Sequence, residues 1–181
     1  MAKYVFKGSL STEGIENIKK QLLKYQQNIL PRKIREVVTR LAEIGIPVIE
    51  QHMSEASYTY DEKGIQSGSN TEHRTYVDVK SYQDYAIASL VLQGKEILFI
   101  EFGSGVYYNT EAGQTPHPMG EKFGYLIGTY GKGNGAKQIW GYYADTGELV
   151  LTRGTKATMP MHNADMEIVS QVEKIVREVF S

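Results

Sequence analysis

Between Gly103 and Gly147 the chain abandons any helical period, and this stretch limits the possible folds more than any other feature. Its 45 residues hold 11 of the chain's 18 glycines and six of its 13 tyrosines, with Pro116, Pro118 and Trp140, the single tryptophan. Irregular segments this long are uncommon inside compact domains and tend to be functional or disordered. The tyrosines argue against plain disorder, because each offers a large contact area at small entropy cost. The stretch is therefore expected as a long excursion, extended over 105–137. It returns as two strands near 138–143 and 149–152, with Asp145-Thr146-Gly147 as the turn between them.

The flanking sequence has clearer periods. Residues 3–7 alternate as a short edge strand. Ser11 or Thr12 opens a helix whose apolar stripe is Ile15, Ile18, Leu22, Tyr25 and Ile29. Leu30-Pro31 is expected to break it, since a residue before proline avoids the α region. A second helix then carries Ile34, Val37, Val38, Leu41, Ile44, Val48 and Ile49, with a kink or break expected near Gly45 and Pro47. Residues 57–73 have no period and read as a loop or irregular hairpin. Strands are expected over Thr75–Lys80, Asp84–Gln93 and Glu96–Phe102, the last two joined by a turn at Gln93-Gly94. Thr158 and Pro160 open a final helix with a stripe of Met161, Ala164, Ile168, Val172, Ile175 and Val179.

Together these elements define an α+β fold. It has N-terminal amphipathic helices, an antiparallel β-sheet with a long Gly/Tyr-rich excursion, and a C-terminal helix packed on the sheet. The expected organisation is one domain over 1–181: helical to 56, a loop over 57–74, the sheet with its excursion over 75–155, and the last helix over 158–180. With 181 residues, such a domain buries enough surface to need no staples.

Composition removes several function classes. There is no cysteine, so disulfides, thiolate metal sites and cysteine nucleophiles are excluded. Twenty Lys and Arg oppose 21 Asp and Glu, a net charge of -1, which gives no electrostatic case for nucleic-acid binding. The start, Met-Ala-Lys-Tyr-Val-Phe-Lys-Gly, lacks the apolar run of a signal peptide, and no stretch suits a membrane span, so a reducing cytoplasm is the expected compartment.

Motifs for chemistry are weak. No two of His52, His73, His117 and His162 lie three to five residues apart, so no metal site is expected, although His117 could meet His162 in space. Gly131 to Ala136 has the Gly-x-Gly-x-x-Ala outline of a dinucleotide loop, yet a strand-like Lys137-Gln138-Ile139-Trp140 follows where a helix is required. Gly103-Ser104-Gly105 is not a nucleophile elbow. Asp61 and Glu62 are adjacent and would point apart on a strand. No catalytic residue and no cofactor is assigned. Tyr107, Tyr108, Tyr125, Tyr130, Tyr142 and Tyr143, with Lys122, Lys132 and Lys137, could stack single-stranded bases, and protein contact is the competing reading. A small hydrolase using Ser104 or the histidines is a third.

The second half carries an ordered set of short signals. Phe99-Ile100-Glu101-Phe102-Gly103-Ser104-Gly105 is followed by His117-Pro118, Trp140-Gly141-Tyr142-Tyr143, Thr152-Arg153-Gly154, and Ala157-Thr158-Met159-Pro160-Met161 with Ala164. This order resembles the tailed-bacteriophage neck proteins, also called head–tail joining or tail-completion proteins, and is clearest over 97–180. The resemblance implies a virion component assembled in the host cytoplasm. It would form a homo-oligomeric ring of six or twelve copies around the DNA channel. Its neighbours would be a head-closure or connector protein and a tail terminator or tail tube protein. DNA would pass without sequence-specific contacts, and no membrane is involved. The interface candidates are Glu101, Phe102, Gly103, Tyr107, Tyr108, His117, Tyr125, Tyr130 and Trp140. Gly103 or Gly105 is expected to require positive φ.

Overall fold

In the computed structural model the described residues are 4–129 and 132–181. They divide into two compact units. The first comprises the chain up to Gly45, Tyr76–Val91 and Glu167–Ser181; the second comprises Ile46–Thr75 and Leu92–Met166. The class is α+β.

In the first unit, helix α1 spans Thr12–Lys24. The Ser11 hydroxyl accepts the Gly14 N–H at 3.1 Å, as the capping pattern predicts. The expected break at Leu30-Pro31 does not occur. The chain instead widens into a π-helical turn over Tyr25–Ile29, and helix α2, Leu30–Glu55, follows directly. Leu30 N–H bonds Tyr25 O, one residue further back than in an α-helix. Pro31 lacks the N–H that would continue the ordinary ladder, and the wide turn absorbs that loss. Pro47 likewise lies inside α2 without ending it. Residues 4–7 form no strand; the Tyr4 and Phe6 rings pack edge-on against Tyr25, at 5.1 and 5.8 Å between centroids.

Strands β3, His73–Ser81, and β4, Ala86–Gly94, pair as a two-stranded sheet. They follow β1, Thr59–Tyr60, and β2, Gln66–Ser67. The β3–β4 hairpin turns at 82–85, where Tyr82 N–H bonds Tyr85 O at 2.8 Å, and the second hairpin expected about Gln93-Gly94 does not form. Glu96–Phe102 is also not a strand: Ile97–Phe102 is helix α3. A short apolar run fits a buried strand and a helix turn equally well, and only its surroundings decide. Here Ile100, Glu101 and Phe102 are all buried, and Gly103 at φ 82 ends the turn.

The second unit holds a four-stranded sheet in the order β1-β2-β6-β5, with β5 at Trp140–Tyr143 and β6 at Leu149–Thr152. β5 and β6 are antiparallel, with Trp140 opposite Thr152 and Tyr143 opposite Leu149, and Gly147 at φ 83 in the expected turn. The 57–74 segment contributes the short antiparallel hairpin β1–β2, and β2 runs parallel to β6. Between α3 and β5 lie helix α4, Gly120–Phe123, and a 3₁₀ turn at Asn134–Ala136.

Helix α5 spans Pro160–Phe180. In the first unit its Ile175 and Val179 form a buried cluster with Val37 of α2, covered by Leu41 and Ile44. The Lys33 ammonium donates to the Val179 carbonyl and lies 5.2 Å from the Phe180 ring centroid, so a cation meets the negative end of the helix. No helix among the described residues is long and apolar enough to cross a membrane.

Candidate functional site

The second unit is organised around Glu101, at the end of α3. Proposed from the sequence as an interface residue, it is 6% exposed. Its carboxylate accepts three hydrogen bonds. His117 Nε2 lies 2.9 Å from Oε1, the Met161 N–H reaches Oε2 at 2.8 Å, and the His162 N–H reaches Oε1 at 3.0 Å. Met161 and His162 follow Pro160 in the first turn of α5. Glu101 therefore caps that helix from another element, placing negative charge on its positive end. The cap expected from Thr158 is not made, and the Thr158 hydroxyl is buried without a partner.

His117 is fixed in turn. Its Nδ1 accepts the Met119 backbone N–H at 3.0 Å, so the ring hydrogen is on Nε2 and points at Glu101. Phe102 stacks on Tyr125 at 4.3 Å and leans on His117 at 4.5 Å, and the His117 and His162 rings meet edge-on at 5.3 Å. The spatial meeting of His117 with His162 is thus realised, as part of a buried support and without a third ligand: among the described residues no group of three His, Asp or Glu could hold a metal.

Beyond Glu101 the backbone turns through Gly103 and Gly105, both at positive φ, 82 and 76, as expected. A Cβ on Gly103 would stand 2.6 Å from Asn109 Oδ1, and one on Gly105 2.8 Å from the Arg153 carbonyl. Asn109 ties this crossing together. Its amide nitrogen donates to Gly105 O and Thr155 O, both at 2.9 Å, and its oxygen accepts the Ala157 N–H at 2.9 Å. Ser104 pairs with Thr155 through both backbone bonds, and its buried hydroxyl accepts the Thr155 N–H at 3.0 Å. That hydroxyl is occupied in holding a loop.

A cavity of about 410 Å³ opens beside this crossing, lined by Gln66, Ser69, Glu96, Phe99, Trp140 and Tyr142 among others. Trp140 Nε1 is buried without a hydrogen-bond partner. The Glu96 carboxylate accepts the Tyr58 hydroxyl at 3.0 Å and the Asn70 N–H at 2.8 Å. Partial desolvation and then the hydrogen bond to Glu96 raise the Tyr58 phenol above its ordinary value. Nearby, Asp61 accepts the Lys63 and Ile65 N–H groups at 2.9 Å and pairs with Arg153 at 2.5 Å. The Ile65 N–H and then the guanidinium keep this carboxyl below the usual carboxylate range. Arg153 also covers the Tyr107 ring at 5.0 Å.

The sequence-derived interface set therefore splits. Glu101, Phe102, Gly103 and His117 are buried and cannot meet a partner directly. Tyr125 and Trp140 are half-buried, Tyr107 and Tyr108 are exposed, and Tyr130 lies outside the described residues. The 105–137 excursion is irregular, but it does not stand off the unit. Ile127 is fully buried, its N–H bonds Gln114 O at 2.7 Å, and Val106 N–H bonds Gly135 O at 3.1 Å. Burying Ile127 and His117 outweighs the entropy that a free arm would keep. Asn109 and Thr155 were missed, because a single polar residue in a loop carries no spacing signal, and Asp61 was considered only as half of an adjacent carboxylate pair.

No protein-family model, curated protein or solved structure matches the chain.

Proposed function

We propose that this protein is a structural component of a tailed-bacteriophage neck, a ring subunit that joins or completes the connection between head and tail around the DNA channel. The ordered signals over 97–180 support the reading, from Glu101-Phe102-Gly103-Ser104-Gly105 to the Ala157-Thr158-Met159-Pro160 entry into α5.

The observation that carries it is an exposed apolar stripe. Val169, Val172, Val176 and Phe180 are each more than a third exposed. At about 100° per residue they fall within a strip roughly 80° wide on α5, beside the face that buries Ile175 and Val179. In the same unit, Ile15, Leu22 and Leu23 of α1 are exposed too. Isolated exposed apolar residues need no explanation, but aligned ones mark a contact surface. A ring subunit has such surfaces, because each copy meets two neighbours head to tail. The buried Glu101 node would then serve the ring indirectly, by fixing the start of α5.

The DNA flanking the coding sequence tests this. Terminase, portal and capsid genes on one side, with tail tube and tape-measure genes on the other, are the expected neighbours. Metabolic or RNA-processing genes would overturn the reading.

A further inference from the structure

The hairpin β3–β4 is thinly supported. Its strands are nine residues each, none of those residues is buried, and the sheet they form has two strands. A two-stranded ribbon is marginal alone in water, and each of its outer edges presents a row of backbone donors and acceptors.

The two edges differ sharply. β3 carries Arg74, Asp78 and Lys80, with Asp78 and Lys80 3.7 Å apart. Charged side chains on an edge are the usual guard against pairing with another chain. β4 reads Ala86-Ile87-Ala88-Ser89-Leu90-Val91-Leu92-Gln93-Gly94. It contains no charge and no proline, the two devices that stop edge association. Antiparallel self-pairing about Leu90 sets Ala88 opposite Leu92 and Ser89 opposite Val91, with no charge opposed to another. The result is a four-stranded sheet in the order β3-β4-β4-β3. Its unguarded edges are inside and its charged edges outside.

We propose that β4 pairs antiparallel with β4 of a second copy of this chain. The contact is isologous, the same patch on both partners, whereas a ring needs head-to-tail contacts. The inference therefore stands apart from the neck reading. In a ring-forming protein it joins rings in pairs; in a chain that forms no ring it gives a dimer.

The test uses the full chain, with mass measured by light scattering over a concentration series and folding checked by circular dichroism. The parent is expected at an even multiple of 20.4 kDa. Ser89 is exposed, and Ser89→Lys places two lysines diagonally across the two-fold axis, their Cβ atoms about 7 Å apart. That variant should have half the parent mass, and so should Ser89→Glu. An equimolar mixture of the two should return to the parent mass, which also shows that both variants fold. Ser81→Lys, an exposed position on β3, should keep the parent mass. A parent that is monomeric throughout the series, a Ser89→Lys chain at full parent mass, a mixture that stays at half mass, or a Ser81→Lys chain that halves would each overturn the proposal.

Discussion

Removing the Glu101 carboxylate should cost the second unit more than any surface substitution. In Glu101→Ala three donors lose their acceptor: His117 Nε2–H, Met161 N–H and His162 N–H. Glu101 and His117 are 6% and 5% exposed, so water cannot readily replace the carboxylate. One stranded buried donor costs about 1–3 kcal/mol, and a lost helix cap about 1 kcal/mol. The three share one acceptor and do not add, so about 3–5 kcal/mol is expected, the range for breaking a buried charged network. For a chain of this size that is a fall in Tm of roughly 6–20 °C. Glu101→Gln should be milder. Its single oxygen can serve His117 and His162, while its amide nitrogen faces the Met161 N–H, leaving one stranded donor and a cost of about 1–3 kcal/mol. Urea unfolding followed by circular dichroism and Trp140 fluorescence measures both. A Glu101→Ala chain within about 1 kcal/mol of the parent, or a Gln variant as damaged as the Ala variant, would refute the capping argument.

Three further outcomes follow from the same geometry. Gly105→Ala should destabilise more than Gly113→Ala: both sites have positive φ, but a Cβ at Gly105 meets the Arg153 carbonyl at 2.8 Å and one at Gly113 meets nothing within 4 Å; equal unfolding midpoints would contradict the close approach. The Asp61 carboxyl sits below its ordinary value, so its stabilising effect is complete above about pH 4 and is lost as pH falls through the lower folded value; Asp61→Asn should flatten the acid side of the stability curve, and an unchanged slope in acid denaturation would contradict this. Deleting 107–135 removes Asn109, His117 and the fully buried Ile127, so the second unit should fail to fold, seen as lost near-ultraviolet dichroism; a cooperative native-like transition would show that the segment is dispensable to the core.

The sequence was most legible where one local pattern decides the outcome. Ser11 caps α1, Gly147 turns β5 into β6, and positive φ at Gly103 and Gly105 follows from their crowded loop. It was misleading where two local solutions are nearly equal. The Ile97–Phe102 run suits a strand or a helix, and burial of three adjacent residues selects the helix. Leu30-Pro31 suits a break or a widened turn, and the π turn keeps one long helical path. It was silent where partners are far apart in the chain. Glu101 reaches the start of α5 60 residues later, and Asp61 finds Arg153 across 92 residues. No spacing rule connects such residues, because the fold alone brings them together. For the same reason four interface candidates, chosen as conspicuous residues, are buried internal supports, while only Val172 of the exposed residues on α5 lay in the expected stripe.

The proposed role, a subunit that joins heads to tails, is tested most directly by inactivating the gene in a phage that carries it and imaging the particles made. The account predicts DNA-filled heads and complete tails lying unjoined in the same lysate, with joining restored when the intact chain is supplied in trans. Joined, infectious particles made without the protein would contradict it.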